Sequence, residues 1–208
     1  MNVVIFGATG ATGHHLVKEA VAQGYNVAAL VRDPARLTFG ADRMTVIPGD
    51  VMDAAAVERS LHGQSAVLCA LGSGTKRTGV RADGTRTIVN AMRKQGVRRL
   101  ICLSTLGIRD SRPLLSPLLR YVIVPLILRD AFADHERQEQ IVEESDLDWT
   151  IVRAGSLTDG PRTGQYRHGF EMTDRSVKVK ISRADAADFM LKQLSDQTYI
   201  GKVVGVSY

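Results

Sequence analysis

Seven residues near the amino end have the makings of a phosphate cradle: Gly7-Ala8-Thr9-Gly10-Ala11-Thr12-Gly13. Glycine at every third position permits a tight turn and lets the backbone come close to a ligand. A helix starting there adds about half a positive charge and a set of free N–H groups. The chemistry implied is pyrophosphate binding, with Gly7, Thr9, Gly10, Ala11, Thr12 and Gly13 forming the loop. A second candidate is Arg32, with Arg36 one turn on. Arginine offers a planar, permanently charged fork that suits a phosphate. Asp50, Ser104, Thr105 and His135 complete the set of polar side chains with a plausible chemical task.

These residues need a scaffold, and the hydrophobic pattern supplies one. Residues 3–6 form a short apolar run with the β-branched enrichment of a buried strand, and Leu16, Val17, Ala20 and Val21 then recur at helical spacing. Strand, glycine loop and helix are the context that gives a glycine triplet meaning. Further strands are expected at 26–31, 44–48, 66–71, 98–103, 148–152, 177–181 and 202–206. Helices are expected at 53–61, with Asp53 as N-cap, and at 82–95, 130–145 and 185–194. Strands alternating with helices predict an α/β fold, a Rossmann-type doubly wound parallel sheet with a small C-terminal substrate-side lobe. The expected organisation is one domain over residues 1–208, with 155–180 contributing to the lobe.

Position now gives the candidate residues roles. Ligands of such sheets lie beyond the carboxyl ends of the strands. After the second strand, a carboxylate accepts from a free ribose 2′-hydroxyl, whereas an arginine accommodates a 2′-phosphate. Arg32 and Arg36 therefore predict NADPH/NADP+ over NAD, although Asp33 beside them also suits a plain solvated turn. Asp50 follows the third strand, within reach of an adenine amino group or as a turn residue. Leu71 and Gly72 should line the middle of the cofactor, with Ser73 and Gly74 continuing the same loop. Ser104 and Thr105 close the fifth strand beside the nicotinamide, where a hydroxyl can bond the carboxamide or a substrate. His135 and Glu139 are four apart and share a helix face. That places His135 either in the crevice or on an exposed surface.

Composition narrows the function classes. The chain has 208 residues, 44% hydrophobic and 24% charged, with a formal charge of +5, ordinary for a globular protein. Its basic residues are scattered, so no nucleic-acid stripe is drawn. A diffuse positive field suits anionic small molecules. Cys69 and Cys102 sit in apolar strand-like runs and read as buried thiols of a reducing compartment. No cysteine or histidine spacing suggests a metal. The first strand begins at once, so no signal peptide is expected and the cytoplasm is the default location. Residues 108–129 hold three prolines and the run Leu118 to Leu128, broken by Arg120 and Pro125. This is too short and interrupted for a membrane span. A broken helix over the crevice or a self-association surface is expected, with membrane-surface contact a third option.

With the glycine loop, Leu30-Val31-Arg32-Asp33, Gly49-Asp50-Val51 and Val152-Arg153-Ala154-Gly155 in view, the chain resembles the atypical short-chain dehydrogenase/reductases. It is similar to their NAD(P)H-binding branch, which includes flavin reductase (biliverdin reductase B) and the NmrA-like proteins. Asp134-His135, Asp185 with Phe189-Met190-Leu191, and Tyr208 extend the likeness nearly end to end. The resemblance implies NADPH along Gly7 to Gly13, Arg32, Arg36, Asp50, Val51, Leu71 and Gly72. It places Ser104 and Thr105 at the nicotinamide end, with Ser104 in the active site; Ser104 and His135 are the expected catalytic residues, and Thr105, Arg153 and Ala154 are expected at the cofactor.

The chain departs from that pattern in places. Flavin reductase has a His where this chain has Gly155, and Ser156 or Arg153 would have to replace it. Many relatives carry Lys at the position of His135. No tyrosine has a lysine four positions on, so the usual phenolic acid of the dehydrogenases is missing. A chain without it is poorly equipped for alcohol oxidation. It can still reduce a small planar acceptor that needs little acid help, such as FMN or a biliverdin-type tetrapyrrole. The alternative is a non-enzymatic NADP(H) sensor of NmrA-like type. The other expectations are no nucleic acid, no membrane span, and a monomer or weak homo-oligomer.

Overall fold

The computed structural model describes residues 1–37, 42–72 and 79–208. The glycine loop joins strand β1 (Asn2–Phe6) to helix α1 (Ala11–Ala22). The chain then passes through β2 (Asn26–Val31) and β3 (Met44–Pro48), moving outward to one edge of the sheet. Helix α2 (Ala54–Leu61) carries it back over β1 to β4 (Ala66–Cys69). From there α3 (Val80–Gln95), β5 (Arg99–Thr105), α4 (Arg129–Glu143) and β6 (Asp148–Ala154) extend the sheet the other way. The strand order β3-β2-β1-β4-β5-β6 reverses direction between β1 and β4. That reversal opens a crevice at the carboxyl ends of those strands.

Both faces of the sheet are covered, which is why its strands read as continuous apolar runs. Four of the five residues of β1 and all four of β4 are buried. Leu16, Val17 and Ala20 of α1 pack on one face with Ala186, Ala187 and Met190 of α5 (Arg183–Lys192). The other face is closed by Ala56, Val57 and Leu61 of α2, Ile88 and Met92 of α3, and Val142 of α4. Asp53 caps α2 as expected, accepting from the Ala55 N–H at 2.9 Å. Gly96 ends α3 in the left-handed region at φ 69°, where a β-carbon is strained. Cys69 and Cys102 are free thiols, buried side by side as register partners of β4 and β5.

Several expected boundaries shift. Strand β5 runs to Thr105 and β6 to Ala154, because each pairs with the other over its full length. The strand expected at 177–181 is β9 (Lys180–Ser182), which pairs with β7 (Ser156–Thr158) in a separate two-stranded sheet. Within the loop-like region expected at 158–174, β8 (Arg167–His168) adds an antiparallel edge beside β10 (Lys202–Ser207). The segment 108–129 forms a 3-10 turn over Arg109–Leu114 and a π-helix over Leu119–Leu128. Ser73 and Gly74 lie outside the described residues.

Candidate active site

A cleft of about 600 Å³ opens where the sheet order reverses. Its floor begins at the glycine loop. The Gly10 N–H donates to the Gly7 carbonyl at 2.9 Å, closing the turn, and α1 starts at Ala11 with no side-chain cap. The first N–H groups of α1 are thus left to a ligand. The three glycines serve different ends. At Gly7, φ is 82°, and a β-carbon would stand 2.3 Å from the Ala70 carbonyl oxygen. At Gly13 a β-carbon would meet the Gly7 oxygen at 2.0 Å, so this residue seats α1 against the loop and does not line the cleft. Gly10 is different: a β-carbon there would meet only the Gly7 oxygen, at 3.2 Å. Its bareness opens space on the ligand side, as a pyrophosphate site requires.

Along one wall stand Arg32, Arg36, Asp50 and Val51, and along the middle Leu71 and Gly72. Asp33 caps the short turn after β2 by accepting from the Ala35 N–H at 3.1 Å, which presents Arg36 one turn on. One oxygen of Asp50 accepts from the Met52 N–H at 3.0 Å. The carboxylate therefore acts as a turn residue and still borders the cleft.

The far end is built from β5, α4 and the turn after β6. Ser104, Thr105, His135, Ala154, Gly155 and Ser156 all line it. Ser104 Oγ donates to Glu139 Oε1 at 2.6 Å. Glu139 is buried, and Arg153 holds it with Nε at 2.8 Å and Nη2 at 2.7 Å. Arg153 also pairs with Asp110, and Arg109 lies 3.7 Å from Glu139. The Glu139 and Asp110 carboxylates hold the Arg153 guanidinium firmly protonated, against the opposing effect of its burial.

His135 is kept neutral. Burial and the nearby Arg81 guanidinium push its pKa down to about 3, and its Nδ1 is closed off from solvent without a partner. Asp134 fixes the helix that carries it. Its carboxylate accepts from the Arg81 and Ala82 N–H groups at the start of α3, both at 3.3 Å, and so clamps α4 to α3.

Two expectations are corrected at this end. Arg153 was expected at the cofactor or as a stand-in for the missing His. Its side chain is spent on Glu139 and Asp110, and it does not line the cleft. A broken helix over the crevice was expected from 108–129, yet no residue of that segment is among those lining it. The π-helix leads instead into the start of α4. Gly155 also has a steric reason to be glycine. A β-carbon there would come within 2.5 Å of the Lys180 nitrogen and the Val179 carbonyl carbon. The crossing of β9 behind the turn fills the place where a side chain would begin.

Sequence reasoning missed Arg81 and Arg183 on the cleft wall. Arg183 is the first residue of α5, whose N-cap Ser182 accepts from the Asp185 N–H at 3.0 Å. That Ser-x-x-Asp pattern was the available signal. It missed the Ser104–Glu139–Arg153 chain as well, although Glu139 was on the recognised face of α4.

A sheet order of this kind, with a bare glycine loop at its reversal, fits a bound dinucleotide. Residues 7–197 match the model of a family described as NAD(P)H-binding. The chain belongs to that NAD(P)H-binding family. The chain is 35% identical over 191 residues to a 3-diazoavenalumate denitrifying reductase of a Streptomyces species, covering 81% of this chain and 60% of that protein. It is 29% identical over 219 residues to an uncharacterised chloroplastic protein of Arabidopsis thaliana, covering 98% of this chain and 75% of the other. The oxidoreductase ylbE of Lactococcus lactis superposes with a TM-score of 0.85 at 25% identity, covering all of this chain and 90% of that one. ChuY of Escherichia coli O157:H7, described as an anaerobilin reductase, superposes with a TM-score of 0.79 at 24% identity over all of this chain and 97% of that one. These likenesses place the chain among NAD(P)H-binding proteins of Rossmann type, and several of the relatives are named as reductases.

Proposed function

We propose that this chain is an NADPH-dependent reductase whose acceptor is a small planar conjugated molecule, a flavin such as FMN or a biliverdin-type tetrapyrrole. The observation that carries this reading is that neither a tyrosine nor a protonated histidine stands among the described residues lining the far end of the cleft. No tyrosine lines it. The Ser104 proton is directed into Glu139, away from the cleft. His135 is neutral at physiological pH, and a neutral imidazole is a very weak acid. Alcohol and ketone chemistry asks for an acid at that place, whereas a conjugated acceptor delocalises the incoming charge and takes its proton from solvent.

The residues present fit a dinucleotide. The N-terminus of α1, Gly10 and Thr9 would hold the pyrophosphate, and Arg32 with Arg36 the 2′-phosphate of NADPH. Asp50, Val51, Leu71 and Gly72 would flank its adenosine and middle. A bound nicotinamide supplies the hydride. Ser104 orients what lies beside it, because a hydroxyl whose proton points at Glu139 can only accept from the cleft. It would accept from the carboxamide or from an N–H of the acceptor. Arg183 lines the cleft from the start of α5, paired with the exposed Asp159, and would exchange that partner for an acceptor phosphate or carboxylate. The anaerobilin reductase among the structural neighbours supports the tetrapyrrole option by analogy of fold.

The test is a ternary complex. The NADP+-loaded protein should bind FMN or biliverdin more tightly than the cofactor-free protein does. Absence of binding to either form would overturn the proposed acceptor class.

A further inference from the structure

Residues 118–128 have the composition of a buried helix and are not buried. The π-helix over Leu119–Leu128 contains no buried residue. Among the described residues, seven large apolar side chains are exposed, and five of them are Leu118, Tyr121, Val122, Leu126 and Ile127. The exposed surface is therefore one patch and not scatter, and such patches mark contact sites. Leu118, Val122 and Ile127 recur at spacings of four and five, the period of an i→i+5 helix, so they share one side.

We propose that this patch docks the protein onto an anionic lipid surface. The charge pattern selects the occupant. Residues 111–128 contain no aspartate or glutamate. Arg120 lies with its guanidinium 5.3 Å from the centre of the Tyr121 ring, inside the apolar run. Arg129 is exposed at its far end, and the chain carries a formal charge of +5. Exposed aliphatic side chains, a tyrosine and arginines at the same level are what a segment resting among lipid headgroups needs. Anionic headgroups attract those arginines. A second copy of this chain would bring the same positive charges to its own interface, because a two-fold contact uses one patch twice. Among the described residues no helix is long and apolar enough to cross a membrane, so the segment lies on the surface. Docking there would hold α4 by its first turn, and α4 carries His135 to the cleft wall.

The experiment uses the full chain and sedimenting vesicles of phosphatidylcholine, with and without phosphatidylglycerol. The protein should co-sediment with the anionic vesicles, about tenfold more weakly with neutral vesicles or in high salt. The double variant Leu126→Asp with Ile127→Asp should lose that binding while its melting temperature and NADPH affinity are unchanged, since both side chains face water. Arg120→Glu should weaken it without touching the apolar residues. No binding to anionic vesicles would overturn the proposal. So would equal binding by the variants, or a concentration-dependent dimer that the double variant abolishes with no vesicle binding by the parent.

Discussion

Ser104 Oγ donates to Glu139 Oε1 at 2.6 Å, at the end of β5 that faces the cleft. The direction of that bond sets the chemistry. Glu139, held by Arg153, accepts that bond, and the serine presents its lone pairs to whatever occupies the cleft. Ser104→Ala should leave the fold intact and lower kcat/KM for reduction by about tenfold, the worth of one positioned hydrogen bond. Steady-state kinetics decide this; unchanged kcat/KM would remove Ser104 from the site.

Glu139→Gln attacks the same chain from behind. It leaves the buried guanidinium of Arg153 without its principal counter-charge. Breaking a buried pair from one side costs about 3–5 kcal/mol. Urea unfolding should show a loss of that size, larger than for Ser104→Ala. A loss no greater than that of Ser104→Ala would mean that Asp110 alone satisfies Arg153.

The proposed preference for NADPH rests on Arg32. Arg32→Ala should raise the dissociation constant of NADPH by roughly ten- to hundredfold, equivalent to about 1.5–3 kcal/mol for a charge-assisted phosphate contact. NADH lacks that phosphate and should be little affected. Titration calorimetry with both cofactors checks it, and an equal loss for the two would refute the 2′-phosphate role.

His135 makes stability depend on pH with a definite sign. Its folded pKa is lowered from 6.5 to about 3. Between those values the unfolded chain takes up a proton that the native state does not. Native stability is therefore lost as pH falls below 6.5, by at most about 1.4 kcal/mol per pH unit from this group. The unfolding free energy of His135→Gln, compared with the parent, should improve steadily as pH drops through that window. A difference that stays flat with pH would show that the imidazole titrates normally.

Gly155 tests whether a family-like histidine can be restored. A β-carbon would press on the backbone of Val179 and Lys180, which cannot swing aside as a side chain tip can. Gly155→Ala should cost about 1–3 kcal/mol and Gly155→His more. A thermal melt of Gly155→Ala that matches the parent would show that β9 yields easily.

The parts of this molecule that sequence made legible are those set by local pattern. The apolar run of β1, the cap at Asp53 and the stop at Gly96 are properties of neighbouring residues, and each appears as read; β4 starts where expected, at Ala66, and ends two residues early, at Cys69. The glycine loop was legible for the same reason, but its division of labour was not. That Gly13 seats a helix while Gly10 faces the cleft depends on what lies across the turn. The far end of the cleft was least legible because it is assembled across the chain. Ser104, Glu139 and Arg153 come from β5, α4 and β6, and no spacing announces that an arginine after a strand turns inward to a glutamate. The segment 108–129 offered three readings, a cover over the crevice, a self-association surface or a membrane-surface contact, and composition alone does not choose among them; the lining of the cleft removes only the first.

The most direct measurement of the central claim is turnover itself. Purified protein, NADPH or NADH, and one acceptor at a time (FMN, biliverdin, a set of quinones) are mixed, and loss of the reduced nicotinamide is followed by absorbance. The predicted result is acceptor-dependent oxidation with FMN or biliverdin, faster with NADPH than with NADH. NADPH that binds tightly yet is consumed with no flavin, tetrapyrrole or quinone would contradict it, and would leave the chain as a cofactor sensor.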